Sequence, residues 1–155
     1  MLFRSRSDGG PVIVTSSGDR GETWSRPEVP VGNSPDDTTA RRVMTMAVNN
    51  KGVLGVIVVE RKPNTPECLS TNFYASLDGG ASFLSPTRVS SSSCGTAPAD
   101  EIAGRMIPTY GDYFGLTSTP DGHFIAMWPE MRNGHSVLMT STIEVAGRAA
   151  PPPKN

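Results

Sequence analysis

No stretch of this 155-residue chain approaches the roughly 18 consecutive apolar residues of a membrane-spanning helix, so a helical membrane span is set aside. Charge of one sign is missing too. Fourteen basic residues stand against 15 acidic ones, which leaves nothing to draw the chain onto nucleic acid or an anionic membrane. The opening Met1-Leu2-Phe3-Arg4-Ser5-Arg6 turns polar at once and does not read as a signal peptide. The two histidines, His123 and His135, lack companions at metal-ligand spacing, and there is no glycine-rich phosphate loop or Gly-x-Ser-x-Gly elbow. No metal or other cofactor is expected. The seven methionines are scattered along apolar stretches and read as core fillers.

What the chain has in quantity is turn-forming residues. Sixteen glycines and 14 prolines approach a fifth of the sequence, while apolar residues at helical spacing are hard to find. Many short strands joined by turns follow from that balance, and the fold class is all-β. Between turn signals the strands read as Val12 to Ser16 and Glu28 to Val31, then Val43 to Val48, Val53 to Val59, Thr71 to Ser76 and Thr87 to Ser90. Tyr113 to Ser118, Phe124 to Trp128 and Val137 to Ile143 complete the set. Val53 to Val59 is an almost continuous apolar run, the pattern of a buried strand. The tally is two strands, four and three, and residues 148–155 end the chain in a proline-rich tail.

Two stretches spell one pattern, Ser-x-Asp-x-Gly-x-(Thr/Ser)-aromatic. The first is Ser17-Gly18-Asp19-Arg20-Gly21-Glu22-Thr23-Trp24 and the second is Ser76-Leu77-Asp78-Gly79-Gly80-Ala81-Ser82-Phe83, 59 residues further on. Each lies between extended runs and reads as a hairpin turn. The Asp accepts backbone N–H bonds, the Gly takes a positive φ, and the aromatic ring anchors the turn on the core. Both copies resemble the Asp box, the bacterial neuraminidase repeat, whose best-known carriers are sialidases folded as six-bladed β-propellers. The run Gly111-Asp112-Tyr113-Phe114-Gly115-Leu116, with Pro120 to Trp128 and Arg132-Asn133-Gly134, also resembles a closing blade of such proteins. The resemblance implies that residues 1–147 are a partial propeller of about two and a half four-stranded blades. Earlier blades and a secretion signal would lie upstream. It further implies a secreted bacterial protein and a glycan or glycoconjugate as partner. The open blade edges would invite self-association.

In a blade meander the Asp boxes fall on one end of the sheets and the longer connections on the other. The longer connections hold Glu60-Arg61-Lys62 and Glu130-Met131-Arg132 at the ends of two strands, Asp36, Asp37, Arg41 and Arg42 before a third, and Tyr110, Asp112 and Tyr113 before a fourth. Sialidases clamp a substrate carboxylate with three arginines and use a Tyr/Glu pair as nucleophile with an Asp as acid/base. The resemblance therefore implies Arg41, Arg61 and Arg132 as substrate-binding residues. It gives Tyr110 or Tyr113 as nucleophile, Glu130 as its partner, and Asp112 or Asp36 as acid. An exo-sialidase-type glycoside hydrolase is the leading expectation, and a non-catalytic Asp-box propeller binding carbohydrate or protein is the alternative. A plainer reading of each Glu and following Arg is a local ion pair that closes a strand end, and Tyr113 can simply pack between sheets.

The chain has two cysteines, Cys68 and Cys94. If the strands flanking the second box pair about its turn, partners have residue numbers summing to about 160, which sets Cys68 opposite Cys94 and predicts a disulfide.

Overall fold

A computed structural model describes residues 2–4, 12–31, 39–61, 68–90, 93–94, 113–133 and 135–147. These residues form strands and turns with no helix among them, so the chain is all-β. They make three antiparallel sheets, each a simple meander. The first contains β1 (Leu2–Arg4), β2 (Val12–Thr15) and β3 (Glu28–Val31). The second runs β4 (Ala40–Val48), β5 (Leu54–Arg61), β6 (Cys68–Ser76) and β7 (Thr87–Arg88), and β8 (Ser93–Cys94) pairs with the start of β6. The third runs β9 (Gly115–Ser118), β10 (Phe124–Arg132) and β11 (His135–Ile143). The proline-rich tail lies outside the described residues.

The strand tally needs correcting at its start. Leu2–Arg4 pairs with Ile13–Thr15 and gives the first sheet a third strand, one too short for periodicity to reveal. Elsewhere β4, β6 and β11 begin two or three residues before the apolar pattern, because the backbone ladder continues through polar residues such as Arg41 and His135. β9 starts at Gly115 instead of Tyr113, whose ring is 72% exposed and packs between no sheets.

β5 explains the arrangement of the rest. Its residues from Leu54 to Glu60 are all buried, so both faces of the second sheet are covered. On one face Val53, Ile57, Phe73 and Ala75 pack against Phe124, Ala126 and Trp128 of the third sheet. On the other, Leu54, Val56, Val58 and Tyr74 form a second cluster with Val43 and Phe83. Each such side chain stabilises by about 1.5–3 kcal/mol through burial. The two sheets meet closest at Gly55, where an added Cβ would lie 2.7 Å from Phe73 Cε2 and 2.9 Å from Phe124 Cε1. Glycine there lets those two rings approach to 5.2 Å between centroids. Side chains of the turn after β4 then tie the sheets together: Asn49 Nδ2 donates to Gly122 O at 2.7 Å, Asn50 Nδ2 donates to Pro120 O, and Ser118 Oγ donates to Val48 O at 3.2 Å.

Both repeats of the Ser-x-Asp pattern fold alike. In the second, Ser76 Oγ donates to Asp78 Oδ1 at 2.8 Å and accepts Gly80 N–H at 2.8 Å. Asp78 in turn accepts Ser82 N–H at 2.9 Å and Ser82 Oγ–H at 2.6 Å. The first copy repeats each bond with Ser17, Asp19, Gly21 and Thr23. Gly21 and Gly80 take φ of 97° and 96°, while Arg20 holds φ 63° where the second copy has Gly79. The rings differ. Phe83 meets Tyr74 edge-on at 6.2 Å, but Trp24 is 47% exposed and does not reach the core. Thr15 stands where the second copy has Tyr74, so Trp24 has no ring to rest on and its indole N–H turns to Gly21 O at 3.1 Å.

The ladder between β6 and β8 pairs Cys68 with Cys94, while the two side chains lie outside the described residues. Cα partners on adjacent antiparallel strands lie within the span a disulfide bridges, about 4.5–5.5 Å. Titration of denatured, unreduced protein is therefore expected to find no free thiol, and the bridge to contribute about 3–4 kcal/mol. Two reactive thiols would show the pair reduced.

Acid should loosen both boxes. Partial burial alone would raise Asp78, but bonds from the Ser82 hydroxyl and amide and the Ser76 hydroxyl outweigh it and hold the carboxyl below its usual range. Asp19 is lowered to about 2 by the Thr23 hydroxyl and amide and the Ser17 hydroxyl. A carboxyl depressed in the folded state stabilises above its unfolded pKa of 3.8 and loses that contribution as pH falls towards its folded value. Urea midpoints should thus fall between pH 4 and about 2. Asp78→Ala should cost about 1–3 kcal/mol at neutral pH and flatten that acid slope. Trp24→Ala should cost less than Phe83→Ala in the same assay.

Candidate functional site

The hairpin turns Asn49–Gly52 and Thr119–Gly122 lie at the same end of the sheets as the second box, since β5 leads away from that end and β6 returns to it. Both turns are closed by backbone bonds, and the Thr119 hydroxyl and His123 Nδ1 (2.8 Å) hold Asp121, lowering its carboxyl pKa. The opposite end is where β5 and β10 finish. Leu54, Val56, Val58 and Glu60 of β5 correspond to Phe124, Ala126, Trp128 and Glu130 of β10, three apolar rungs followed by a buried glutamate. A buried carboxylate needs compensation, and the two sheets supply it differently.

Glu60 is enclosed. Arg41 Nε donates to its Oε1 at 3.0 Å, Asn72 Nδ2 to Oε2 at 3.0 Å, and the Tyr74 hydroxyl to Oε1. All four side chains are buried on the face of the second sheet that carries Leu54, Val56 and Val58. Burial, and then the bond and charge of Glu60, push the Tyr74 phenol far up, so it stays protonated as the donor to that carboxylate. Arg41, expected to hold substrate, is instead committed to Glu60 beneath the surface. The partner of Glu60 is also not its sequence neighbour. Successive residues of a strand point to opposite faces, so Arg61 lies on the other side of the sheet.

Glu130 is held by side chains of its own strand. Trp128 Nε1 donates to Oε2 at 3.2 Å and Arg132 Nε to Oε1 at 3.2 Å, with Glu130 2% exposed and the Arg132 side chain 52% exposed. Here the local ion pair at a strand end is the observed arrangement. Ser141 and Met139 occupy the register positions that Tyr74 and Asn72 hold beside Glu60. Trp128 belongs to the cluster between the second and third sheets, which turns Glu130 and Arg132 to that seam. From the second sheet the same seam receives Arg61, two residues beyond Val59, and Arg42, the ladder partner of Val59. Both are half-buried. By register, Arg42 and Arg61 stand at this end on the side of the second sheet that faces the seam, and Arg132 with Glu130 stands at the same end on the third.

Of the residues singled out in the sequence, Glu130 and Arg132 form an ion pair, Arg61 faces the same seam by register, and Arg41 belongs to the neighbouring cluster. Tyr110, Asp112, Asp36 and Asp37 lie outside the described residues. Arg42, Tyr74, Asn72 and Trp128 were not foreseen as members of these clusters. The signal that finds Arg42 is register: once β4 extends to Ala40, alternation from Val43 sets Arg41 and Arg42 on opposite faces. Among the described residues no group of three or more His, Cys, Asp or Glu side chains is arranged to hold a metal.

The two clusters should separate in mutagenesis. Arg41→Ala leaves Glu60 charged and buried, and should lower unfolding free energy by about 3–5 kcal/mol. Arg132→Ala removes a half-exposed partner and should cost clearly less in urea melts. Equal losses would mean that both arginines are structural to the same degree.

No protein-family model matches the chain, and no curated protein matches it.

Proposed function

We propose that this chain is a three-sheet section of a sialidase-like Asp-box β-propeller and that it recognises a carboxylate-bearing glycan at the seam end carrying Arg42, Arg61 and Arg132. The observation that carries this reading is one of register: Arg42 and Arg61 of the second sheet and Arg132 of the third stand at the same end, on the sides that face each other across the seam. A guanidinium is always charged and offers a planar fork of donors to a carboxylate. Glu130 engages Arg132 through Nε, which leaves the terminal NH2 groups of that fork free to turn to a ligand. Beneath them Trp128, 3% exposed, orients Glu130 through its indole N–H, so the acidic group of a sugar would meet arginines whose one carboxylate neighbour is already held in place.

Two further features support the propeller. Both Asp boxes close hairpins at equivalent places in successive meanders, and the second and third meanders stack face to face through alternating apolar rungs. A Cys68–Cys94 bridge would fit a secreted protein. Hydrolysis in the sialidase manner would need Tyr110 or Tyr113 as nucleophile and Asp112 as acid in addition to Glu130. Binding needs only the arginines, so recognition is the part of the function the geometry supports best, and a non-catalytic glycan-binding propeller is the second reading.

Titration calorimetry with sialyllactose against lactose tests the reading. Sialyllactose should bind and lactose should not, and Arg61→Ala or Arg132→Lys should weaken binding by about tenfold or more, the worth of one charge-assisted pair. Equal affinity for the two sugars, or wild-type affinity in both variants, would overturn it. Release of fluorophore from a fluorogenic sialoside would then assign the hydrolase; binding without turnover would assign the module.

A further inference from the structure

Register extends the box repeat to a third place in the chain. Ser76 opens the second box as the ladder partner of Leu54, the first residue of β5, and Ile143 holds the same place as the partner of Phe124, the first residue of β10. At the same spacing, Val145 stands where the second box has Asp78, Gly147 where it has Gly80, and Pro153 where Pro86 follows it. Pro27 follows the first box in the same position. The glycine keeps its conformation: Gly147 takes φ 121°, against 97° at Gly21 and 96° at Gly80. The hydrogen-bonding pair is replaced. Ile143 and Val145 are buried in the core between the second and third sheets, with Leu77 of the second box packed against it. Leu77 also lies against Gly147, where an added Cβ would meet its Cδ1 at 3.2 Å. The position between differs too, since Arg20 and Gly79 take φ 63° and 71° and Ala146 takes no positive φ. Bonds from Ser and Asp hold the first two turns; apolar side chains buried beneath the chain do so at the third.

Each of the first two boxes is followed by a strand at one fixed register. Ser25 N–H donates to Ser16 O and Leu84 N–H to Ala75 O, each at 2.8 Å, and beyond them Val14 pairs with Glu28 and Phe73 with Thr87. These partners coincide when the two boxes are aligned. The same register at the third place sets Lys154 beside Thr140 and Asn155 beside Met139. β11 is suited to receive them, with nine residues, no proline and no Asp, Glu, Lys or Arg, and with β10 as its one ladder partner among the described residues. Its equivalents β2 and β6 each have a strand on both sides. We propose that residues 143–147 are a third box built on apolar anchors, and that the edge of β11 is taken by residues 148–155 of this same chain, returning at the register of β3 and β7. The length suffices. Residues 81–88 carry the second copy from Gly80 to the end of β7, and residues 148–155 are as many. Pro151 replaces Leu84, so the rung that closes the second box is given up and pairing starts beyond the last proline, at Lys154. This rests on the repeat of the meander and not on what the arginine seam binds.

Paired cysteines in the full chain test this. Thr140 is exposed, so its replacement disturbs no core residue. Thr140→Cys with Lys154→Cys, exposed to oxidised glutathione, should form a disulfide within one chain, because ladder partners on antiparallel strands have Cα atoms about 4.5–5.5 Å apart, inside the span of the bond. Leu138→Cys with Lys154→Cys shares the face but lies two residues out of register, and should bridge about tenfold more slowly or worse. Peptide mapping reads both and separates them from Cys68 and Cys94. A chain stopped after Gly147 should exchange its β11 amides faster than the full chain does. Equal bridging in the two pairs, a bridge between chains in place of one within a chain, or β11 exchange unchanged by the truncation would each overturn the proposal.

Discussion

A strand that is apolar on both sides must be covered on both sides, and β5 is such a strand. Leu54, Val56 and Val58 need one neighbour while Val53 and Ile57 need another, and no two-layer arrangement satisfies both. The third sheet answers the second set through Phe124, Ala126 and Trp128, and on the other side Phe83 folds back from the second box as β2 approaches β4. Gly55 is the point of tightest tolerance. A methyl group there would meet two aromatic rings at under 3 Å, so the seam between the sheets is set by the absence of a side chain as much as by the packing of those present.

The two ends of the sheets are built on different principles. At the end of the second box and the β4–β5 and β9–β10 turns, short polar side chains bond to backbone within a few residues, and Asn49 and Asn50 carry that scheme across to the neighbouring turn. Such bonds fix geometry and leave few groups over for a ligand. At the other end, polar side chains answer buried carboxylates, from neighbouring strands for Glu60 and from its own strand for Glu130. There the repeat diverges: β6 offers Asn72 and Tyr74 to Glu60 and seals it, whereas β11 offers Met139 and Ser141 to the equivalent Glu130.

Much of the fold was legible because its determinants are local. The turn pattern of Ser17 to Trp24 and Ser76 to Phe83 specifies its own hydrogen bonds within five residues, and the apolar run at Val53 to Val59 announces burial without reference to any partner. The register that sets Cys68 against Cys94 followed from the position of a single turn. What escaped were properties that depend on a second strand. Leu2–Arg4 becomes β1 only because Ile13–Thr15 accepts it. Arg61 looked like the partner of Glu60, its neighbour in sequence, but the pleat separates them and gives Glu60 to Arg41. Trp24 matched its pattern position and still lies exposed, since its packing depends on residue 15, which the pattern does not include.

Edges follow the same logic at a larger scale. β4 carries arginines on its outer side for two reasons that coincide, because Arg41 neutralises Glu60 while the pair Arg41 and Arg42 also makes the strand unattractive to another strand. A charge placed for the interior thereby protects the perimeter. β11 carries no Asp, Glu, Lys or Arg, and β10 itself supplies Arg132 and Trp128 to Glu130. The third sheet thus places Glu130 and Arg132 on a single strand, where the second sheet draws the partners of Glu60 from the strands on either side of it.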